Sequence, residues 1–403
     1  MRVLHVYGGN LYGGIETMLV TMARARSLCP ALDPEVALCF AGRLSAELEA
    51  TGVAVHRLPE VRASRPPTVL RARRALAALV DGGRFDRVIC HAAWSQALLG
   101  PVVKDARIPL VFWAHDVVTG KHWTERLARR VRPDLVICNS RYTAASIPNL
   151  YEDVPTVVVA PPVSTDAPRL SNTERAALRT ALDTPADAPV IIQVSRMEAW
   201  KGHAVAIDAL SRLRDLSWIF WIVGGAQRPD EVAYLESLRA SADRLGVADR
   251  IRILGERTDV RQLLAAADVH CQANLRPEPF GIAFVEALAA GLPVVAAATG
   301  GALEIVDDSC GILVPPNDPS ALAAALRRLI DDPTLRSRLA SAGPGRAREA
   351  SSGCPFSPGA DLAEQSRPRT PRRTSKPPRP FALHSGNQET ADNERGLGTV
   401  ARL

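Results

Sequence analysis

Through most of the chain, short runs rich in β-branched and other apolar residues alternate with amphipathic stretches of helical length. That alternation is the pattern of parallel sheets whose faces are covered by helices. A first series of strands is predicted at Val3 to Tyr7, Glu35 to Phe40, Val53 to Leu58, Asp86 to Cys90, Leu110 to Ala114, Leu135 to Cys138 and Thr156 to Ala160. A second follows at Val190 to Ser195, Trp218 to Gly224, Ile251 to Leu254, Val269 to Gln272, Val294 to Ala297 and Gly311 to Val314. Between them, Pro161-Pro162-Val163-Ser164-Thr165-Asp166 reads as a linker. The expected organisation is α/β, with one doubly wound domain over residues 1–160, a linker over 161–172, a second such domain over 173–343, and a cleft between the two. From Gly343 onward no apolar period appears at helix or strand spacing. A segment such as SRPRTPRRTSKPPRPF cannot bury enough surface to offset its chain entropy, so residues 344–403 are predicted to be a disordered basic tail.

Length agrees with two domains, because 403 residues exceed what one hydrophobic core usually supports. The longest dense apolar stretch, around Leu216 to Gly225, is broken by Ser217 and is too short to cross a bilayer, so no membrane span is predicted. The opening MRVLHVYGG lacks a basic start, a long apolar run and a small-residue cleavage site, and the expected location is the cytoplasm. Seven widely spaced cysteines without a C-x-x-C pair argue against a disulfide framework or a zinc knuckle and read as buried, reduced thiols. The net charge of +6 is modest, and residues 344–403 supply +4 of it with ten Lys and Arg against six Asp and Glu. The remainder is close to neutral, so no nucleic-acid partner is expected.

Four segments carry candidate chemistry. The first strand runs into Gly8-Gly9-Asn10-Leu11-Tyr12-Gly13-Gly14 and a helical stretch from Ile15 with Glu16 in its first turn. Glycines there let backbone amides approach a ligand, and a helix N-terminus favours an anion such as phosphate. The loop fits G-x-G-x-x-G in no register, which weakens a dinucleotide reading and leaves a glycine turn without function as the other account. After the first strand of the second series, Ser195-Arg196-Met197-Glu198-Ala199-Trp200-Lys201-Gly202 puts Arg196 and Lys201 where open α/β sheets place ligands. A rigid guanidinium fork and a mobile ammonium suit the two phosphates of a diphosphate.

In the segment from Pro277 to Gly291, two prolines and Gly281 hold Glu278 in a turn, and Ile282 to Ala290 reads as a buried helix ending at Gly291. Free amides at its start, around Phe280 and Gly281, can meet phosphate oxygens. Glu286 lies about one turn into this apolar helix, where an ionised carboxylate requires partners. A vicinal diol such as a ribose supplies two hydroxyl donors, and Glu278 on the loop side suits the hydroxyls of a sugar. The competing account is a carboxylate complementing the helix dipole plus an unrelated ion pair. Finally, Val111-Phe112-Trp113-Ala114-His115-Asp116 places His115 at a strand's carboxyl end, where it can face a donor sugar or the reacting centre. His91 is similarly placed, with less to recommend it. No H-E-x-x-H or comparable cluster is present, so no protein-held metal is expected.

Taken together, these residues resemble the retaining GT-B glycosyltransferases of the large group usually called family four, or group one. The resemblance covers roughly residues 1 to 340 and is carried by the spacing of Glu278 and Glu286 with Arg196 and Lys201. The N-terminal glycine loop, Ala298-Thr299-Gly300-Gly301 and Gly311-Ile312-Leu313-Val314-Pro315 agree with it. It implies two Rossmann-like domains facing a cleft, with a nucleotide sugar held mainly by the second and an acceptor by the first. By position, it implies that Arg196 and Lys201 bind the diphosphate, Glu286 the ribose and Glu278 the donor sugar. Gly13 and Gly14 would meet the phosphates from across the cleft, Phe280 and Gly281 would complete the donor site, and His115 would sit beside the donor sugar. No cofactor is implied, since the nucleotide sugar is a substrate. The expected activity is transfer of a hexose or related sugar, with retention of configuration, from a UDP- or GDP-sugar to a glycan or lipid-linked acceptor in surface polysaccharide or glycolipid assembly. A nucleotide-sugar epimerase of the same architecture and an inactive nucleotide-sugar-binding protein are the two other readings. Such enzymes commonly end with a helix that crosses back to the first domain, a pattern the polar tail lacks.

One further stretch bears on partners. From Lys121 to Arg132, Trp123, Leu127 and Val131 recur every four residues with basic side chains on the remaining faces. The stripe is expected to pack on its own sheet, with weak contact to the inner face of an anionic membrane as the alternative.

Overall fold

Two wholly parallel sheets account for every strand predicted from the sequence. The structure, a computed structural model, describes residues 1–351 except Asn10, Gly82 and Gly83. The first sheet contains β1 (Arg2–Tyr7), β2 (Asp33–Leu38), β3 (Ala54–Arg57), β4 (Arg87–His91), β5 (Leu110–Ala114), β6 (Leu135–Cys138) and β7 (Thr156–Val158). The second contains β8 (Val190–Val194), β9 (Ile219–Val223), β10 (Ile251–Gly255), β11 (Val269–Gln272), β12 (Val294–Ala297) and β13 (Gly311–Val314). Their orders are β3-β2-β1-β4-β5-β6-β7 and β10-β9-β8-β11-β12-β13. In each, the chain starts in the middle, walks outward on one side, then returns to build the other. The crevice this leaves, between β1 and β4 in one sheet and between β8 and β11 in the other, lies at the carboxyl ends where such sheets bind ligands.

The inner strands are apolar on both faces because helices cover both. All five residues of β9, Ile-Phe-Trp-Ile-Val, are buried, as are all five of β5. Of the cysteines, Cys39, Cys90, Cys138, Cys271 and Cys310 are buried, and Cys354 lies outside the described residues. Among the described residues, no helix is long and apolar enough to cross a membrane.

Three expectations change. The second strand begins and ends two residues earlier than predicted, because Asp33 pairs in register with Arg2 while Cys39 and Phe40 leave the ladder to donate their amides to the Gly8 carbonyl. The last helix, Pro333–Ser351, runs eight residues beyond Gly343, where the apolar pattern was expected to end. Its buried residues are Leu339, Gly343 and Ala347, and a Cβ placed on Gly343 would lie 2.7 Å from the Leu288 carbonyl oxygen. A face of small residues packs by close backbone approach, which no hydrophobic period reveals. Arg346 ties the same helix to the carbonyls of Glu304 and Ile305. The remainder of the predicted tail lies outside the described residues.

The third change concerns the basic stretch. Its helix, Trp123–Ala128, buries Thr124, Glu125 and Ala128. Trp123 and Leu127 instead face solvent, 44% and 36% exposed, and only Val131 of the apolar stripe is buried. Glu125 caps the helix start by accepting from Thr119 and the His122 amide, so the capping residue itself lies on the buried face with Thr124 and Ala128.

Candidate functional site

The carboxyl end of β8 leads into a turn that carries Arg196 and Lys201, and each cation is already paired. Arg196 forms ion pairs with Glu231, which is buried, and with Glu198 at 3.4 Å, while its Nε is buried without a partner among the described residues. Lys201 Nζ donates to Glu278 Oε2 at 2.7 Å and lies 3.9 Å above the Trp200 ring. Gly202, next in the chain, has φ of 77° and stands so close to the end of β11 that a Cβ there would be 1.8 Å from the Ala273 carbonyl oxygen. A residue with a side chain at 202 would push Lys201 away from Glu278.

Glu278 is fixed from below by the end of β11. Its Oε2 accepts from Lys201, from Asn274 Nδ2 at 2.8 Å and from Gln272 Nε2 at 3.2 Å, all three donors converging on one oxygen. Gly300 and Gly301 bracket the same turn, Glu278 forming a parallel bridge to Gly300 while its carbonyl accepts the Gly301 amide at 2.7 Å. Phe280 is buried, and Gly281 starts the helix Ile282–Ala289 with φ of 109°. A Cβ on Gly281 would strike the Phe284 ring at 2.3 Å. Glu286 projects from that helix half-buried and, among the described residues, has no hydrogen bond or ion pair. Burial pushes its carboxyl up to about 7, opposed weakly by the charge of Arg261.

The other wall comes from the first sheet. Gly13 caps the helix Gly14–Arg24, and its amide donates to Glu16 Oε2 at 2.9 Å while Tyr7 donates its hydroxyl to Glu16 Oε1 at 2.7 Å. Glu16 is buried, and desolvation raises its carboxyl against these hydrogen bonds and the nearby Arg196 charge. A Cβ on Gly13 would stand 3.9 Å from Arg196 Cδ and one on Gly14 3.5 Å from Ile282 Cδ1, so the glycine turn abuts the second domain's site directly. His115 follows β5, half-buried, with Nε2 2.8 Å from His91 Nδ1 and its carbonyl accepting from Asn139. The adjacent Asp116 reaches solvent, yet its carboxyl is raised by desolvation against the cleft wall and by the Glu278 charge, with Lys201 opposing. The end of β5 therefore faces the Lys201–Glu278 pair.

The two walls are held together by hydrogen bonds that no local motif reveals. The Gln227 side chain donates to the Tyr12 carbonyl at 2.9 Å and accepts the Tyr12 amide at 3.0 Å, while its own amide donates to Glu231, the partner of Arg196. Ser140 donates to the Pro279 carbonyl at 2.5 Å, and Glu304 accepts the amides of Arg141 and Tyr142. Arg43 reaches Glu256 at 2.6 Å. Of these, Gln227, Glu231, Asn274 and Ser140 were missed from sequence. Only Asn274 had a usable signal, a polar residue just past a buried strand and four before Glu278.

Two parallel α/β sheets facing a cleft, with paired cations and carboxylates on one side and a glycine turn on the other, have the GT-B arrangement, and comparison with known proteins agrees on that fold. Residues 174–346 match the family described as glycosyl transferases group 1, and residues 12–167 match glycosyltransferase family 4. The D-inositol 3-phosphate glycosyltransferase of Salinispora tropica is 30% identical over 369 residues, covering 83% of this chain and 74% of that protein. The chain belongs to the group 1, family 4 glycosyltransferases. The enzyme of the same name from Xylanimonas cellulosilytica is 36% identical over 217 residues, 52% of this chain and 51% of that one. The lipopolysaccharide core biosynthesis glycosyltransferase LpsE of Rhizobium meliloti is 35% identical over 41% of this chain and 46% of its own. The matched regions thus span about half the length of these two curated relatives. Among solved structures, HepE of Anabaena in complex with UDP-glucose superposes with a TM-score of 0.77 at 26% identity, covering 91% of this chain and 99% of that one.

Proposed function

We propose that the protein transfers a hexosyl group, with retention of anomeric configuration, from a UDP- or GDP-sugar to a hydroxyl of a glycan or lipid-linked acceptor. The observation that carries this reading is the convergence on one cleft of Arg196, Lys201, Glu278 and the Gly13 turn, with Glu286 on the helix that Glu278 precedes. A diphosphate entering there meets cations already oriented by Glu231 and Glu278 and therefore pays little reorganisation. Glu286, unpartnered among the described residues, takes the ribose diol. Glu278 keeps Oε1 for a sugar hydroxyl while its other oxygen is saturated by three donors, which makes it a poor nucleophile. The chemistry is then front-face attack. The C1–O bond to the diphosphate breaks as the acceptor oxygen bonds to C1 on the same face, and the acceptor's proton passes to the leaving phosphate oxygen. Support for the donor comes from HepE, solved with UDP-glucose, and for a glycan acceptor from the lipopolysaccharide core relative.

We also propose that Trp123 and Leu127, exposed among Lys121, Arg126 and Arg130, rest on anionic lipid at the inner face of the cytoplasmic membrane, close to a lipid-linked acceptor. Vesicle sedimentation showing no preference for anionic lipid would remove that part.

The decisive experiment offers UDP- and GDP-hexoses with a panel of acceptors and reads the product's anomeric coupling by NMR. A product with the donor's configuration is expected. An inverted product overturns retention, interconversion of the sugar nucleotide without acceptor marks an epimerase, and donor binding without turnover on any acceptor marks an inactive binder.

A further inference from the structure

Three histidines form a continuous chain through the first sheet. His5 stands in the middle of β1, His91 ends β4, and His115 follows β5, so the chain crosses three neighbouring strands. His5 Nδ1 lies 2.9 Å from His91 Nε2, and His91 Nδ1 lies 2.8 Å from His115 Nε2. Successive ring planes are inclined by 23° and 18°. Nitrogen separations this short are hydrogen bonds, so the rings lie edge to edge in line. They do not converge on a point, and no group of three or more His, Cys, Asp or Glu among the described residues has the geometry to hold a metal. His5 and His91 are buried, and only His115 reaches the cleft. The groups packed against the trio are Tyr7, edge-on to His91, and Trp113, face-on to His91 and His115. Among the described residues, the only charge effects on the three come from one another, His115 and His5 lowering His91 and His5 lowering His115. Burial holds His5 down to about 4 and His115 to about 3, with His91 also well below the ordinary range, so all three rings are neutral at working pH.

Neutral imidazole carries one N–H and one bare nitrogen, and each link in the chain needs one of each. The proton on any one ring therefore dictates the other two. Either all three carry hydrogen on Nδ1 or all three carry it on Nε2. In the second state, His5 Nε2–H would be a donor on a ring only 2% exposed, with no protein acceptor among the described residues. In the first, that nitrogen is a bare lone pair, which is the cheaper group to leave unpaired.

We propose that His5 and His91 are positioning residues that lock His115 in its Nδ1–H tautomer, so that the outer nitrogen of the chain donates a hydrogen bond to an oxygen of the bound donor sugar. This rests on the reading of the cleft as a nucleotide-sugar site, with His115 beside the sugar. Because the device works by tautomer and not by charge, His5, two rings away from the ligand, governs a hydrogen bond it never touches.

The test reads side-chain nitrogen shifts of the 15N-histidine-labelled protein, together with steady-state kinetics on UDP-glucose. Hydrogen on Nδ1 of all three histidines is expected in the wild type, and any mixed pattern overturns the relay without need of a variant. In His5→Phe, His115 should populate both tautomers and kcat should fall roughly tenfold, the scale of one hydrogen bond, with affinity for free UDP unchanged. In His91→Phe the fall should be as large, whereas His91→Gln, whose amide both donates and accepts, should recover part of it. Loss of kcat in His115→Ala alone, with the His5 and His91 variants silent, discards the relay and leaves the donor site standing. Binding of no sugar nucleotide by the wild type discards the donor site itself.

Discussion

Glu286 stands at the balance point between two protonation states, and that makes it a reporter of its own role. With its carboxyl raised to about 7 by burial and no partner among the described residues, it is close to half protonated at neutral pH. Hydroxyls of a ribose diol would bond the charged form and pull the pKa down. The sign follows directly. Donor binding should release up to about half a proton at pH 7 and more below it, and affinity should fall as pH drops below 7. Calorimetry in buffers of different ionisation enthalpy measures that release, and a buffer-independent heat would contradict it. Glu286→Ala should weaken nucleotide-sugar binding by about 1.5–3 kcal/mol, the worth of hydrogen bonds to a charged group. Unchanged affinity would sink the ribose assignment. The expectation that a carboxylate here needs partners thus takes a sharper form, because without them its charge is partly given up.

At the scale of elements, the contact between the helices Ile282–Ala289 and Pro333–Ser351 carries the site from behind. A side chain at Gly343 would press on the Leu288 backbone. Gly343→Val should therefore destabilise the protein by about 1–3 kcal/mol through overpacking and lower Tm by several degrees in thermal unfolding. An unchanged Tm would mean that the two helices do not meet there. This helix also shows where legibility ended. Strands such as Leu110–Ala114 and Val294–Ala297 were readable to the residue, because strands buried on both faces announce themselves as unbroken apolar runs. A helix that docks through Leu339, Gly343 and Ala347 presents mostly small residues and gives no such period. The site divides the same way. Arg196, Lys201, Glu278 and Glu286 were visible because each stands just past a recognisable strand, or just before or within a recognisable helix. Glu231 and Gln227 sit in an ordinary polar helix start and earn their place only through contacts with residues distant in sequence, Tyr12 above all. The Trp123 stripe misled because periodicity says which residues share a face and not which face meets the core.

For the whole molecule, the largest collective property is the number of buried neutral histidines. His5 is lowered to about 4, His115, His203 and His270 to about 3, and His91 well below its ordinary value, all chiefly by desolvation. As pH falls below about 6.5, the unfolded chain takes up protons that the folded one refuses, so stability is lost progressively down to the folded-state values. The raised carboxyls of Glu286, Glu16 and Asp116 work in the opposite sense, gaining stability as pH falls through their folded pKa values, but there are fewer of them. Each uncompensated proton is worth about 1.4 kcal/mol per pH unit. Urea midpoints at constant ionic strength should therefore drop between pH 7 and pH 5, and a flat or rising midpoint would show that these rings are not buried neutral. The clasp between Gln227 and Tyr12 has a consequence of a different kind. It is uncharged, as is the Ser140 bond to Pro279; among the described residues, charge joins the walls at the exposed Arg43–Glu256 ion pair and where Glu304 accepts the amides of Arg141 and Tyr142. Ionic strength, which weakens exposed ion pairs within a Debye length of about 10 Å at 0.1 M, has little purchase on such a grip. Small-angle scattering profiles should superimpose from dilute buffer to strong brine, so that the two walls would stay together whatever the salt around them.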